Sequence, residues 1–127
     1  MAVIIKHISI DVARKNLFSP IIAKQNDVNS RFLHIQLLNE GIDMAVDATA
    51  DVSINAKRSD GATDDFAGTV NHDGTVTVPL AQWMLELAGD VRCDVSVVRE
   101  DRRLTTMTFW LEVQKAIYNG TEIFQEE

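Results

Sequence analysis

Apolar and polar residues alternate along seven short segments of this chain. Turn-forming clusters such as Asn39-Glu40-Gly41, Ser59-Asp60-Gly61 and His72-Asp73-Gly74 separate them. The cleanest segment is Ala48-Thr49-Ala50-Asp51-Val52-Ser53-Ile54-Asn55-Ala56, apolar at every even position and polar at every odd one. Side chains of a strand point alternately to its two faces, so such a segment has one dry face and one wet face. The pattern predicts strands at residues 3–12, 31–38, 48–56, 65–71, 75–78, 91–98 and 104–113, with the short segment 42–46 ambiguous. Leu33, Ile35 and Leu37 form one inward set; Val91, Cys93, Val95 and Val97 form another; Met107, Phe109, Leu111 and Val113 form a third. Residues 16–29 are the least patterned stretch and read as an ordered connection.

The fold class that follows is all-β: a small antiparallel β-sandwich of about seven to eight strands. One short helix is predicted at residues 79–88. Pro79 suits a first helical turn, Leu80, Met84 and Leu87 share a face, and Gly89 supplies a stop. A helix this short does not stand alone, so its apolar face is expected to cover one open end of the sandwich. The sandwich is expected to occupy residues 1–115. Residues 116–127 form an acidic tail or a connection to a following segment.

Length and composition narrow the partners. At 127 residues the chain holds one domain with a real core, and 46% apolar with 24% charged residues is ordinary for a globular protein. A net charge of −7, with basic pairs only at Lys57-Arg58 and Arg102-Arg103, argues against nucleic acid and against anionic membrane. No apolar run approaches the roughly 20 residues of a membrane span. The single cysteine, Cys93, rules out an internal disulfide and sits in an inward-facing row, as a small buried hydrophobe does.

Candidate chemistry is sparse. His7, His34 and His72 belong to separate segments without metal-ligand spacing, so each reads as solvated and no zinc site is supported. Asp60, Asp64 and Asp65 share one loop and are weak calcium candidates. That loop lacks the ligand order and the closing Glu of a calcium-binding loop. Nucleophile elbows, Gly-rich phosphate loops and Cys/His dyads are missing, and neither enzymatic activity nor a cofactor is expected. Two tryptophans exceed what a solitary core needs. Trp110 points outward from its strand beside Thr106 and Thr108, and Trp83 lies off the main apolar face of the predicted helix. These four are the candidate interface residues, since exposed aromatics mark protein interfaces or sugar-stacking platforms.

The order of features from residue 11 to 113 resembles the N-terminal domain of phage baseplate upper proteins. The resemblance rests on Ala23-Lys24-Gln25-Asn26-Asp27, on Arg31-Phe32-Leu33-His34-Ile35-Gln36-Leu37 running into Asn39-Glu40-Gly41, and on the strand at 48–54. It continues through Asp73-Gly74-Thr75-Val76, Val78-Pro79-Leu80, Leu87-Ala88-Gly89 and Leu104-Thr105-Thr106 before Phe109. It implies a non-enzymatic structural domain of a tailed-phage virion, made in the bacterial host cytoplasm. The partners it implies are the distal tail hub and other baseplate proteins, and its role is to support the host-recognition apparatus. In that family a helical, trimer-forming segment follows the sandwich. These 127 residues contain no heptad repeat, so the trimer rests on the resemblance alone. The rival reading is a carbohydrate-binding sandwich in which Trp83 or Trp110 stacks on a sugar ring.

Overall fold

The computed structural model describes residues 3–15 and 20–117. Within them eleven strands build two facing sheets. Strand β1 (Ile4–Asp11) opens sheet 1, and the chain then crosses to β2 (Ile21–Lys24) in sheet 2 and returns to β3 (Arg31–Asn39) beside β1. A tight turn at Glu40 (φ 52°) and Gly41 (φ 83°) leads into β4 (Ile42–Met44), which pairs with the end of β3. The next hairpin, β5 (Asp51–Lys57) and β6 (Thr63–Ala67), belongs to sheet 2. Strands β7 (Thr69–Val70) and β8 (Val76–Pro79) then lie in sheet 1, joined by the predicted Asp73-Gly74 turn. Strands β9 (Gly89–Arg99), β10 (Arg102–Thr105) and β11 (Phe109–Gln114) complete sheet 2.

The alternation read from the sequence is observed along the middle of the strands, but Met107 is exposed, Ala48 lies in an exposed turn before β5, and the strand predicted at 65–71 divides into β6 and β7 of different sheets. Leu33, Ile35 and Leu37 are fully buried, as are Val76 and Val78 of β8 and Ile54 and Val95 of sheet 2. Phe109, Leu111 and Val113 face them from β11. Trp110 points the other way.

Four further expectations are corrected. First, the sheets are mixed: β1 runs parallel to β3, and β2 runs parallel to β11. Alternation has the same period in parallel and antiparallel strands, so it carries no sign of this. The crossing through the opposite sheet supplies the connection that parallel neighbours need. Second, the connection at 16–29 contains β2, whose Ile21 and Ala23 point inward on a strand of only four residues.

Third, the predicted helix at 79–88 is a single 3₁₀ turn, Gln82–Leu85. Pro79 pairs with Phe32 as the last residue of β8, and the Leu80 N–H donates to the Arg31 carbonyl at 2.9 Å. With these groups committed to the sheet, two i→i+3 bonds, from Met84 N–H to the Ala81 carbonyl (2.9 Å) and from Glu86 N–H to the Trp83 carbonyl (3.5 Å), turn the chain. Met84 and Leu85 still plug the core, so the covering role is kept by a smaller element. Gly89 starts β9 instead of stopping a helix. Fourth, the strand predicted at 104–113 is broken. The Thr106 hydroxyl accepts the Val95 N–H at 3.0 Å and Met107 N–H donates to the Asp11 carbonyl at 3.1 Å, which ends β10 and restarts the strand as β11.

One crossover explains a glycine. Between β6 in sheet 2 and β7 in sheet 1, Gly68 passes so close to β8 that a Cβ would stand 2.7 Å from the Thr77 carbonyl oxygen. Only a residue without a side chain lets the chain change sheets there.

Candidate interaction surfaces

Sheet 2 presents one aromatic outward. Trp110 is 43% exposed on β11, and Ile22 is 55% exposed on β2, on the same outer face. Ile22 pairs in register with Glu112, two residues along from Trp110, so the two apolar side chains stand on neighbouring strands. Across the other side of β11, Arg92 is the register partner of Trp110, and its guanidinium lies over the ring at 5.3 Å from the centroid. This contact holds the indole in place while leaving it largely open to a partner. Thr108 is exposed nearby.

A second feature lies at the side of the sandwich where the edge strands β1 and β2 face each other. A cleft of about 610 Å³ runs between them, lined by the apolar Ile4, Ile8, Ile21 and Leu80, with Lys6, Arg31 and Phe32 at its margin. Neither edge has a further strand partner among the described residues.

The other candidates have structural work. Trp83 packs against the core and Phe66 (ring centroids 5.9 Å apart), and Arg58 lies over it at 4.3 Å. Arg58 is itself fixed by Asp60 (2.8 Å), Glu86 (2.9 Å) and the Trp83 carbonyl (3.1 Å). The hydrogen bond to Asp60 first, then that to Glu86, raise its pKa against the opposing effect of burial. Thr106 is only 5% exposed and its hydroxyl is spent on the backbone. It therefore stands behind the surface that Trp110 and Thr108 form.

The acidic loop divides. Asp60 turns to Arg58 and to the Ala62 N–H, which lower its pKa, while Asp64 and Asp65 sit on β6 opposite Ala56 and Asn55. Among the described residues no three His, Cys, Asp or Glu side chains gather as a metal cluster. Cys93 is buried, and that burial, helped by Asp94, pushes its thiol up to about 12.

Two arrangements were invisible to spacing. Asp11 accepts the N–H groups of Ala13, Arg14, Glu40 and Gly41 at 2.7–3.1 Å, clasping the end of β1 to the β3–β4 turn. Burial raises its pKa, but the four N–H groups together outweigh it and hold the carboxylate at about 2. The parallel register also brings His7 opposite His34, with their Nδ1 atoms 3.0 Å apart. The pairing of β1 with β3 is what brings these two histidines, 27 residues apart, together. The residues from 118 onward, most of the predicted acidic tail, lie outside the described residues.

The described residues thus form a two-sheet sandwich with an outward aromatic on sheet 2 and an apolar cleft at one side. The comparisons make this specific. Residues 4–126 match the family described as the BppU N-terminal domain, the N-terminal domain of phage baseplate upper proteins, and the chain belongs to that family. Among solved structures it is similar to the N-terminal domain of phage TP901-1 ORF48, at 17% identity and a TM-score of 0.69, covering 88% of this chain and 100% of that one. That likeness shows the shared sandwich fold. No curated protein sequence matches the chain. Family membership implies a structural role with other phage baseplate proteins at the virion tail.

Proposed function

We propose that this domain acts through shape and surface, without catalysis, by docking on the distal tail hub of its phage and supporting the host-recognition apparatus. Membership of the baseplate family over residues 4–126 carries this reading. The contact face we assign is the outer side of sheet 2 around Trp110, with Ile22 and Thr108 beside it. An aromatic that is pre-positioned by Arg92 loses little freedom on binding, which is what an interface anchor needs. Thr106 stands behind this surface, whereas Trp83 packs against Phe66 and Arg58. The net charge of −7 opposes stray, non-specific self-association. Trimerisation, implied by the family, is part of the proposal and is read from the mass of the purified chain by light scattering.

Carbohydrate stacking on Trp110 is the competing use of the same side chain. Arg92 over the ring takes one face that a sugar would need, which favours the protein partner.

The test is reconstitution of the purified chain with the hub protein of the same phage, followed by size-exclusion chromatography. A stable complex is expected, with Trp110→Glu eluting as free domain. No complex with the native chain overturns docking. A complex unaffected by Trp110→Glu moves the contact to another face.

A further inference from the structure

His7 and His34 stand opposite each other on the parallel strands β1 and β3, on the outer face of sheet 1. Their rings meet edge-on, 4.8 Å between centroids at 66°, with the Nδ1 atoms 3.0 Å apart. The neighbours of His34 settle which nitrogen carries its proton. Thr75 Oγ1 lies 2.6 Å from Asp73 Oδ1, so the single hydroxyl hydrogen goes to that carboxylate. Thr75 hydrogen bonds, through its side chain first, keep Asp73 in its ionised form. The Thr75 oxygen therefore only accepts, from Asn71 Nδ2 at 3.1 Å and from His34 Nε2 at 3.0 Å. The hydrogen of neutral His34 is thus on Nε2, and its Nδ1 presents a lone pair toward His7. The hydrogen bond between the two Nδ1 atoms is then donated by His7, whose ring is exposed.

Two imidazole nitrogens aimed into one gap, one of them fixed by a hydrogen-bonded relay ending in a carboxylate, is the outer arrangement found behind metal-ligating histidines. We propose that His7 and His34 chelate a late first-row divalent cation through their Nδ1 atoms, with water completing the coordination. At metal–nitrogen bonds of about 2.0–2.1 Å, nitrogens 3.0 Å apart subtend roughly 90–97° at the ion. That is the cis angle of tetragonal and octahedral ions. A tetrahedral ion at the same bond length needs the nitrogens about 3.3–3.4 Å apart. The pair is therefore matched first to Cu²⁺, then to Ni²⁺, in keeping with the order of imidazole affinity. The register neighbours on this face, Ile5 with Phe32 and Ser9 with Gln36, bring no cation, and Asp73 adds negative charge behind His34.

The bound ion replaces the hydrogen between the rings and adds a metal bridge between edge strand β1 and β3, at a pair now joined by a hydrogen bond and an edge-on ring contact.

The test is isothermal titration of the untagged full chain with Cu²⁺ and with Ni²⁺, beside His7→Ala, His34→Ala and His72→Ala. One equivalent is expected to bind, weakened at least about tenfold in each of the first two variants and unchanged in His72→Ala. Thr75→Val, which frees the His34 tautomer, is expected to weaken binding while leaving both ligands in place. Proton NMR gives a second readout on the native chain that does not depend on variants folding. Substoichiometric Cu²⁺ is expected to broaden the ring signals of His7 and His34 ahead of those of His72. Absence of saturable binding, full retention in both His7→Ala and His34→Ala, or broadening confined to His72 overturns the proposal.

Discussion

Replacing Gly68 by alanine tests the account of how the chain changes sheets. The added Cβ stands 2.7 Å from the Thr77 carbonyl oxygen, 2.7 Å from Val78 Cγ1 and 3.4 Å from Val52 Cγ1. Thr77 is held in the middle of sheet 1 by its pairing with both β3 and β7, so its carbonyl cannot swing aside. Overpacking of this kind costs about 1–3 kcal/mol. Against it, alanine restricts the unfolded chain and returns about 0.4–1 kcal/mol. The net loss is about 1–2 kcal/mol, which for a domain of this size lowers Tm by about 5–10 °C. Urea denaturation of the variant and the native chain reads it directly. Gly61 serves as a control of opposite cause. Its φ is +89° and a Cβ there meets nothing within 4 Å, so alanine costs only the left-handed conformation, about 1–2 kcal/mol. Asparagine tolerates that conformation, so Gly61→Asn should recover most of the loss, whereas Gly68→Asn should be worse than Gly68→Ala. A Gly68→Ala protein as stable as the native chain, or a Gly68→Asn protein no worse than it, would refute the reasoning.

Further outcomes follow from the same contacts. Asp11 has a folded-state pKa of about 2, below its ordinary 3.8, so its contribution to stability is complete above about pH 4 and is lost as pH falls toward 2. Asp11→Asn should therefore be less stable than the native chain near neutrality, with the gap closing on acidification. A pH-independent gap in thermal melts would contradict the clasp. Cys93, with its thiol pushed up to about 12 by burial, should react with Ellman's reagent only after unfolding. Rapid labelling of the folded chain would show the core to be open. Trp110→Ala should lower stability by no more than about 1 kcal/mol, the value of its exposed contact with Arg92. A larger loss in denaturant titration would make Trp110 a packing residue and not an anchor.

Strand faces were legible wherever one side is buried and the other solvated, as along Arg31–Asn39 and Asp51–Lys57, because alternation records burial directly. Turns were legible where the backbone demands a positive φ, as at Gly41 and Gly74. What pairs with what was not. The four-residue β2 is too short to show a period, and the parallel pairings leave no local mark. Residues 79–88 do not form the predicted helix, because the helical spacing of Leu80, Met84 and Leu87 carries no trace of the sheet bonds that Pro79 and Leu80 make. The candidate surface was half legible. Strand parity gave the outward direction of Trp110, while the burial of Thr106 comes from a strand break, and the cover over Trp83 comes from Arg58, which is 25 residues away. The His7–His34 pair lies beyond any spacing rule, since it depends on β1 and β3 lying side by side.

The most direct test of the central claim is immunogold labelling of intact particles of the phage that encodes this chain, viewed by negative-stain electron microscopy. The account predicts gold at the distal end of the tail. Unlabelled particles, from a lysate in which the same antibody detects the protein, would contradict it.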